Sequence, residues 1–199
     1  MTDNTITNIE NTPISNLILK TSICSSNIHS NQLKMPDTPL TKDSPLNVRY
    51  NLYYHLPNDT QWDISSYKII KSFTTIEELV SLNENLPKNI IKYCMLFIMK
   101  NGIAPMWEDP RNKNGGCFSY KVYNKYVVEI WKQMVYAFCG ESLMVNKENM
   151  KYVTGITISP KKNFCILKIW IENIKLQNPE EVISIENLSK MGVLFKAHT

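Results

Sequence analysis

Val127, Ile130, Trp131, Met134, Val135 and Phe138 recur at the spacing of a single helical face, and an apolar stripe of that width must be buried against something. Gly140 suits the position just past the end of the helix they predict. A sheet is the expected cover, because β-branched and aromatic residues alternate over 48–56 and 67–73 as half-buried strands require. A buried strand is predicted over 93–99. Two more, over 152–158 and 164–171, are joined by Ser159-Pro160-Lys161-Lys162-Asn163 as a hairpin with a basic tip. Thr75 with Glu78 forms a capping box for a short helix to Asn85, closed by Leu86-Pro87. Asn178-Pro179-Glu180-Glu181 supplies an N-cap, a first-turn proline and acids matched to the helix dipole, which predicts a last helix to about Met191. Strands interspersed with about three helices predict an α+β fold, a sheet covered on one face.

No aromatic residue precedes Tyr50, and residues 1–43 are rich in Asn, Ser and Thr. Such a segment has too little apolar surface to offset its ordering entropy, so a disordered tail is expected over 1–43 and one domain over 44–199. Leu17-Ile18-Leu19 is a candidate docking element in that tail, with a chance apolar cluster as the alternative. Five cysteines, Cys24, Cys94, Cys117, Cys139 and Cys165, are odd in number and lack Cys-x-x-Cys spacing, which supports neither a disulfide framework nor a zinc site. No cofactor is implied. The absence of a leader pattern or a long apolar span predicts a cytoplasmic protein without a membrane partner, and a monomer is expected. A net charge of +4 fits an anionic partner without demanding one.

The stretch 101–116 carries Pro105, Pro110 and three glycines, the composition of a long loop of the kind used for binding. Within it Trp107 stands beside Glu108. An indole face attracts a desolvated cation by about 2 kcal/mol and stacks any base for about 1–3 kcal/mol. An ionised carboxylate only accepts hydrogen bonds, so it suits an edge with two N–H donors, as guanine has. A 7-methylated guanine offers both a positive ring and that edge. Trp62, in Asp59-Thr60-Gln61-Trp62-Asp63, is the candidate for a second plate. A lone Trp-Glu dipeptide is a weak signal that packing over a turn explains equally well.

The order of motifs strengthens it. Ser44-Pro45-Leu46, the aromatic run 50–54, Trp62, Phe73-Thr74-Thr75-Ile76-Glu77-Glu78, Pro105-Met106-Trp107-Glu108-Asp109, Gly115-Gly116, Trp131, Gly140-Glu141-Ser142 and Ile169-Trp170 follow one another. From Ser44 onward the chain resembles the eukaryotic translation initiation factor 4E family of cap-binding proteins. The resemblance implies a curved antiparallel sheet with helices on its convex face and a cap slot on the concave face. It further implies that Trp62 and Trp107 sandwich the methylated guanine, that Glu108 binds its edge, and that Trp170 lies near the methyl group.

Two regions depart from the family pattern. Ser159 and Cys117 stand where basic residues are usual, so the phosphate contacts fall to Lys161 and Lys162 on the hairpin tip, with Arg111 as the arginine of the loop. On the convex side, family members hold an amphipathic helix of scaffold factor 4G or its competitors. The corresponding surface here is Pro45, Ile76, Val80, Trp131, Lys132 and Tyr136. Val80 replaces the usual tryptophan, and Lys132 and Gln133 replace apolar and acidic residues, which predicts altered recognition of ordinary scaffold peptides. The expected function is a non-catalytic reader of capped mRNA that promotes translation initiation through a scaffold partner. The alternative is a cap-binding competitor that represses it. An enzyme acting on nucleotides finds little support, since His29, His55 and His198 are scattered and no phosphate-cradling glycine loop or metal spacing is present. A pure protein-interaction module anchored by aromatics is the fourth reading.

Overall fold

The computed structural model describes residues 43–56 and 59–198. The expected docking element at Leu17, Ile18 and Leu19, and the tail through residue 42, lie outside them. Seven strands form one antiparallel sheet: β1 Pro45–His55, β2 Lys68–Thr75, β3 Met95–Lys100, β4 Gly116–Tyr123, β5 Val153–Pro160, β6 Phe164–Ile171 and β7 Leu194–Ala197. Their spatial order is β2-β1-β3-β5-β6-β4-β7.

Register sorts the side chains into two faces. Leu96, Ile158, Leu167 and Tyr120 pair across four neighbouring strands, as do Ile98, Ile156, Ile169 and Phe118. All eight are buried and point one way. The residues between them, Phe97, Thr157, Lys168 and Ser119, point to the other face, because side chains alternate along a strand. The first set forms the main core with the helices on the convex face of the curved sheet. The second lines the concave face, where Phe97, Met99, Ile103 and Trp170 make a smaller buried cluster flanked by Tyr53, Tyr67 and Met95.

Four α-helices occur among the described residues: α1 Ile76–Asn85, α2 Lys88–Tyr93, α3 Pro110–Lys113 and α4 Val127–Cys139. The six-residue stripe of α4 is buried throughout, and Tyr50 packs between Phe138, edge-on at 5.2 Å, and Phe73, stacked at 5.7 Å. The box at α1 holds, with the Glu78 amide donating to Thr75 Oγ1 at 3.2 Å and Glu78 Oε2 accepting from the Thr74 amide at 2.8 Å. Gly140 follows α4 as expected but sits at φ −85°, and Glu141 at φ 53° takes the left-handed position.

The sequence reading of about three helices needs correction at both ends. The segment over 93–99 begins as helix: α2 runs to Tyr93 and the strand starts at Met95, because Pro87 opens a new turn whose Ile90 and Ile91 bury against the sheet. The helix expected over 178–191 is only a 3-10 turn, Pro179–Glu181, with Asn178 Oδ1 accepting from the Glu180 amide at 3.0 Å. Beyond it the chain pairs with the segment after Gly140, the Ile183 amide donating to Leu143 O at 3.0 Å and the Val145 amide to Glu181 O at 2.8 Å, and then turns at Asn187, φ 63°. Val182, Ile185 and Leu188 imitate a helical stripe, yet their burial comes from this docking.

Candidate functional site

A slot of about 220 Å³ opens on the concave face, and Trp62, Trp107, Glu108 and Trp170 all line it. Their roles in it differ with their burial. Trp62 and Trp107 are each about half exposed, at 52% and 49%, which leaves indole surface open to the slot. Trp170 is 6% exposed and forms the floor, its indole N–H donating to Thr157 Oγ1 at 2.7 Å. Glu108 is exposed on the rim beside Tyr67. Burial pushes the Tyr67 phenol up to about 12, and the Glu108 charge adds to the rise, so the phenol stays protonated and able to donate.

The loop that presents Trp107 and Glu108 is braced from behind. Gly102, at φ 81°, takes the left-handed turn that leaves β3. Asp109 Oδ2 accepts from the Ala104 amide and Oδ1 from the Arg111 amide, both at 2.8 Å, which caps α3 and closes the loop on itself. Asn112 completes the brace, its Nδ2 donating to Ala104 O at 3.1 Å and Met106 O at 2.9 Å. Its Oδ1 accepts from the buried Thr154 hydroxyl at 2.8 Å, tying the loop to β5.

Trp62 is braced differently. His55, fully buried, lies parallel to the indole with ring centroids 4.2 Å apart and planes 2° apart. Its Nε2–H donates to Gln61 O at 2.8 Å, while Nδ1 has no partner among the described residues. One face of the Trp62 indole is thus occupied by the imidazole. His55→Ala should therefore weaken binding of a stacked base about tenfold, with His55→Phe recovering most of the loss, since a phenyl ring restores the stack. Ligand titration of both variants checks this, and equal losses would mean that the stack contributes nothing.

The expected phosphate residues are not gathered at the slot. Lys161 and Lys162 are exposed on the β5–β6 turn, outside its lining. The Arg111 guanidinium is held by Glu172 through two bonds, from Nε at 2.7 Å and from Nη2 at 2.6 Å, which raises its already high pKa. Lys168 and Ser159 line the slot instead. Sequence reasoning missed His55, Asn112 and Lys168. The period-two pattern of β6 could have placed Lys168 on the face of Trp170, but the roles of His55 and Asn112 depend on contacts with no local signature.

The convex surface is likewise divided. Pro45, Ile76 and Val80 are exposed. Trp131 is fully buried, correcting its expected place on a partner surface. Lys132 pairs with Glu84, whose other oxygen accepts from the Tyr136 hydroxyl at 2.7 Å.

The model of the family described as eukaryotic initiation factor 4E matches residues 45–198. The fission yeast eukaryotic translation initiation factor 4E-2 is 31% identical over 170 residues, covering 80% of this chain and 63% of that protein's length. The initiation factor 4E homolog of Acanthamoeba polyphaga mimivirus is 44% identical over 62 residues, 31% of this chain and 23% of its own. Among solved structures, the complex of C. elegans eIF4E-3 with the 4E-binding protein Mextli and cap analog is similar with a TM-score of 0.61 at 23% identity, covering 67% of this chain and 77% of that one. Schistosome eIF4E complexed with m7GpppG and 4E-BP gives 0.60 at 22%, covering 67% and 75%. With the family model matching nearly the whole described chain, and the aromatic slot in the place its motifs imply, the protein belongs to the eukaryotic initiation factor 4E family.

Proposed function

We propose that this protein binds the 7-methylguanosine 5′ cap of mRNA and promotes translation initiation through a scaffold partner, acting in the cytoplasm as a monomeric, non-catalytic reader whose binding domain spans 44–199. The observation that carries this reading is one slot holding two half-exposed indoles and a carboxylate. The indoles stack the base from both sides and favour its positive charge, Glu108 accepts from the two N–H donors of its edge, and Trp170 closes the floor. Nothing in this chemistry forms or breaks a covalent bond. Titration with 7-methyl-GTP against GTP, read by tryptophan fluorescence, tests it: a preference of tenfold or more for the methylated nucleotide is expected, and equal affinities would overturn it.

A second reading, cap binding without recruitment of an ordinary scaffold, is favoured by one observation. Val80 presents a small side chain where the family resemblance implies a tryptophan, and Lys132 of α4 is tied to Glu84. A helical scaffold peptide finds there a shallower anchor.

A further inference from the structure

A second chamber, of about 360 Å³, adjoins the slot and shares with it Trp107, Lys168 and Trp170. Its remaining walls come from Cys117 of β4 and from Lys196, Ala197 and His198 at the C-terminal edge strand. Register explains why three cationic or titratable groups meet there. Lys168 of β6 faces Ser119, two pairs along from Trp170 and Cys117 and so on the same face, and Lys196 of β7 faces Cys117 from the other side. Among the described residues none that lines the chamber is acidic. Among the described residues neither lysine makes an ion pair, so both charges are available to an anion.

His198 completes the set. Its Nδ1–H donates to Asn112 O at 2.8 Å, which leaves Nε2 for a ligand, and its ring lies 5.0 Å from that of Trp170. The hairpin lysines, in contrast, touch neither space, and Arg111 is committed to Glu172.

We infer that this chamber is the subsite for the phosphate bridge of a capped 5′ end, with Lys168 at the junction and Lys196 and His198 beyond it. The inference rests on the proposed reading of the slot, and it moves the phosphate contacts from the hairpin tip to strands β6 and β7.

The placement of His198 gives the subsite a signature. The groups facing it are Lys168, Lys196, the Asn112 carbonyl and the Trp170 ring, none of them acidic. Burial, assisted by the two ammonium groups, holds the imidazole below its ordinary range, so it is neutral in the free protein near neutral pH. A bound phosphate favours the imidazolium. Binding then takes up a proton, and affinity rises as pH falls.

The test compares m7GpppG with 7-methylguanosine, by titration of the wild type, Lys196→Ala, His198→Gln and the double variant Lys161→Ala/Lys162→Ala. The bridging phosphates of m7GpppG do not titrate near neutrality, and the ratio of the two affinities cancels titration of the base itself. In the wild type that ratio should grow severalfold between about pH 8 and pH 6. Lys196→Ala should lower m7GpppG affinity about fivefold to tenfold, leave 7-methylguanosine unchanged, and reduce the salt slope by about 0.7. His198→Gln should flatten the pH dependence of the ratio. The hairpin double variant should bind like wild type. Loss in the hairpin variant with none in Lys196→Ala would overturn the inference and return the phosphates to the β5–β6 turn. A ratio independent of pH in the wild type would remove His198 from the subsite. Failure of the underlying reading looks different: 7-methylguanosine would then bind no better than guanosine.

Discussion

Alanine at position 107 is expected to lower affinity for 7-methyl-GTP by about 100-fold or more. Trp107 is half exposed on the slot, so the change removes a stacking surface worth about 1–3 kcal/mol and a cation–π attraction of about 2 kcal/mol, while disturbing little of the core. The cation term applies only to the methylated base. The preference for 7-methyl-GTP over GTP should therefore collapse in Trp107→Ala along with the affinity. Glu108→Gln should behave differently. The carboxamide keeps the shape but loses the charge and turns one acceptor into a donor, at a cost of about 2–5 kcal/mol for a charge-assisted pair. Because methylated and unmethylated guanine present nearly the same edge, this loss should strike both nucleotides, leaving their ratio close to that of the wild type. Calorimetric titration measures the first variant, whose reporter indole is gone, and fluorescence the second. Wild-type affinity in both would eliminate the sandwich as the binding mode.

The two classes of residue at the slot differ in how far the sequence reveals them. That Trp62, Trp107 and Glu108 line one slot was legible through the order of motifs along the chain, because an indole and an acid side by side in a Pro- and Gly-rich loop are by themselves a weak signal. The sheet was legible from local patterns. The strand expected over 164–171 coincides with β6 Phe164–Ile171, and the stripe of α4 is buried at every position named. Where local patterns compete, the reading fails. Val182, Ile185 and Leu188 keep helical spacing after a good cap, but pairing of Val182 with Met144 holds the backbone extended. The helix that Pro87 starts, which buries Ile90 and Ile91, is too short to show a stripe and escapes the sequence reading.

His55, Lys168 and His198 are the class that the sequence does not reveal. Each acquires its role only through strand register, which brings Lys168 opposite Ser119 and Thr157 and carries His198 past the end of β7 to Asn112. A departure from the family motif, such as Ser159 or Cys117 in place of a basic residue, marks where a contact is missing. It does not say which distant strand supplies another.

The largest effect on stability is expected at Asn112, which is 1% exposed and makes no direct contact with the proposed ligand. Asn112→Ala removes two donors and one acceptor at once, stranding the carbonyl of Ala104 and the fully buried Thr154 hydroxyl and leaving Met106 O only the long bond from the Asp109 amide at 3.4 Å. Leaving a buried polar group unpaired costs about 1–3 kcal/mol, so the loss should reach about 3–5 kcal/mol, a large share of the 5–15 kcal/mol typical of a domain. The midpoint of thermal unfolding should fall by about 10 °C. Thr154→Val strands only the Asn112 oxygen and should cost about a third as much. If the two changes act through one hydrogen bond, their effects will not add in the double variant. The loop adds a second readout. At 25 °C, where the variant remains folded, Asn112→Ala should still weaken 7-methyl-GTP binding, because the chain from Ala104 to Met106 no longer holds Trp107 in place. Thr154→Val, which leaves both donors of Asn112 on the loop, should bind nearly as the wild type. Unchanged stability in Asn112→Ala would mean that Pro105, Pro110 and the Asp109 cap suffice to shape the loop, and that the tie to β5 is dispensable.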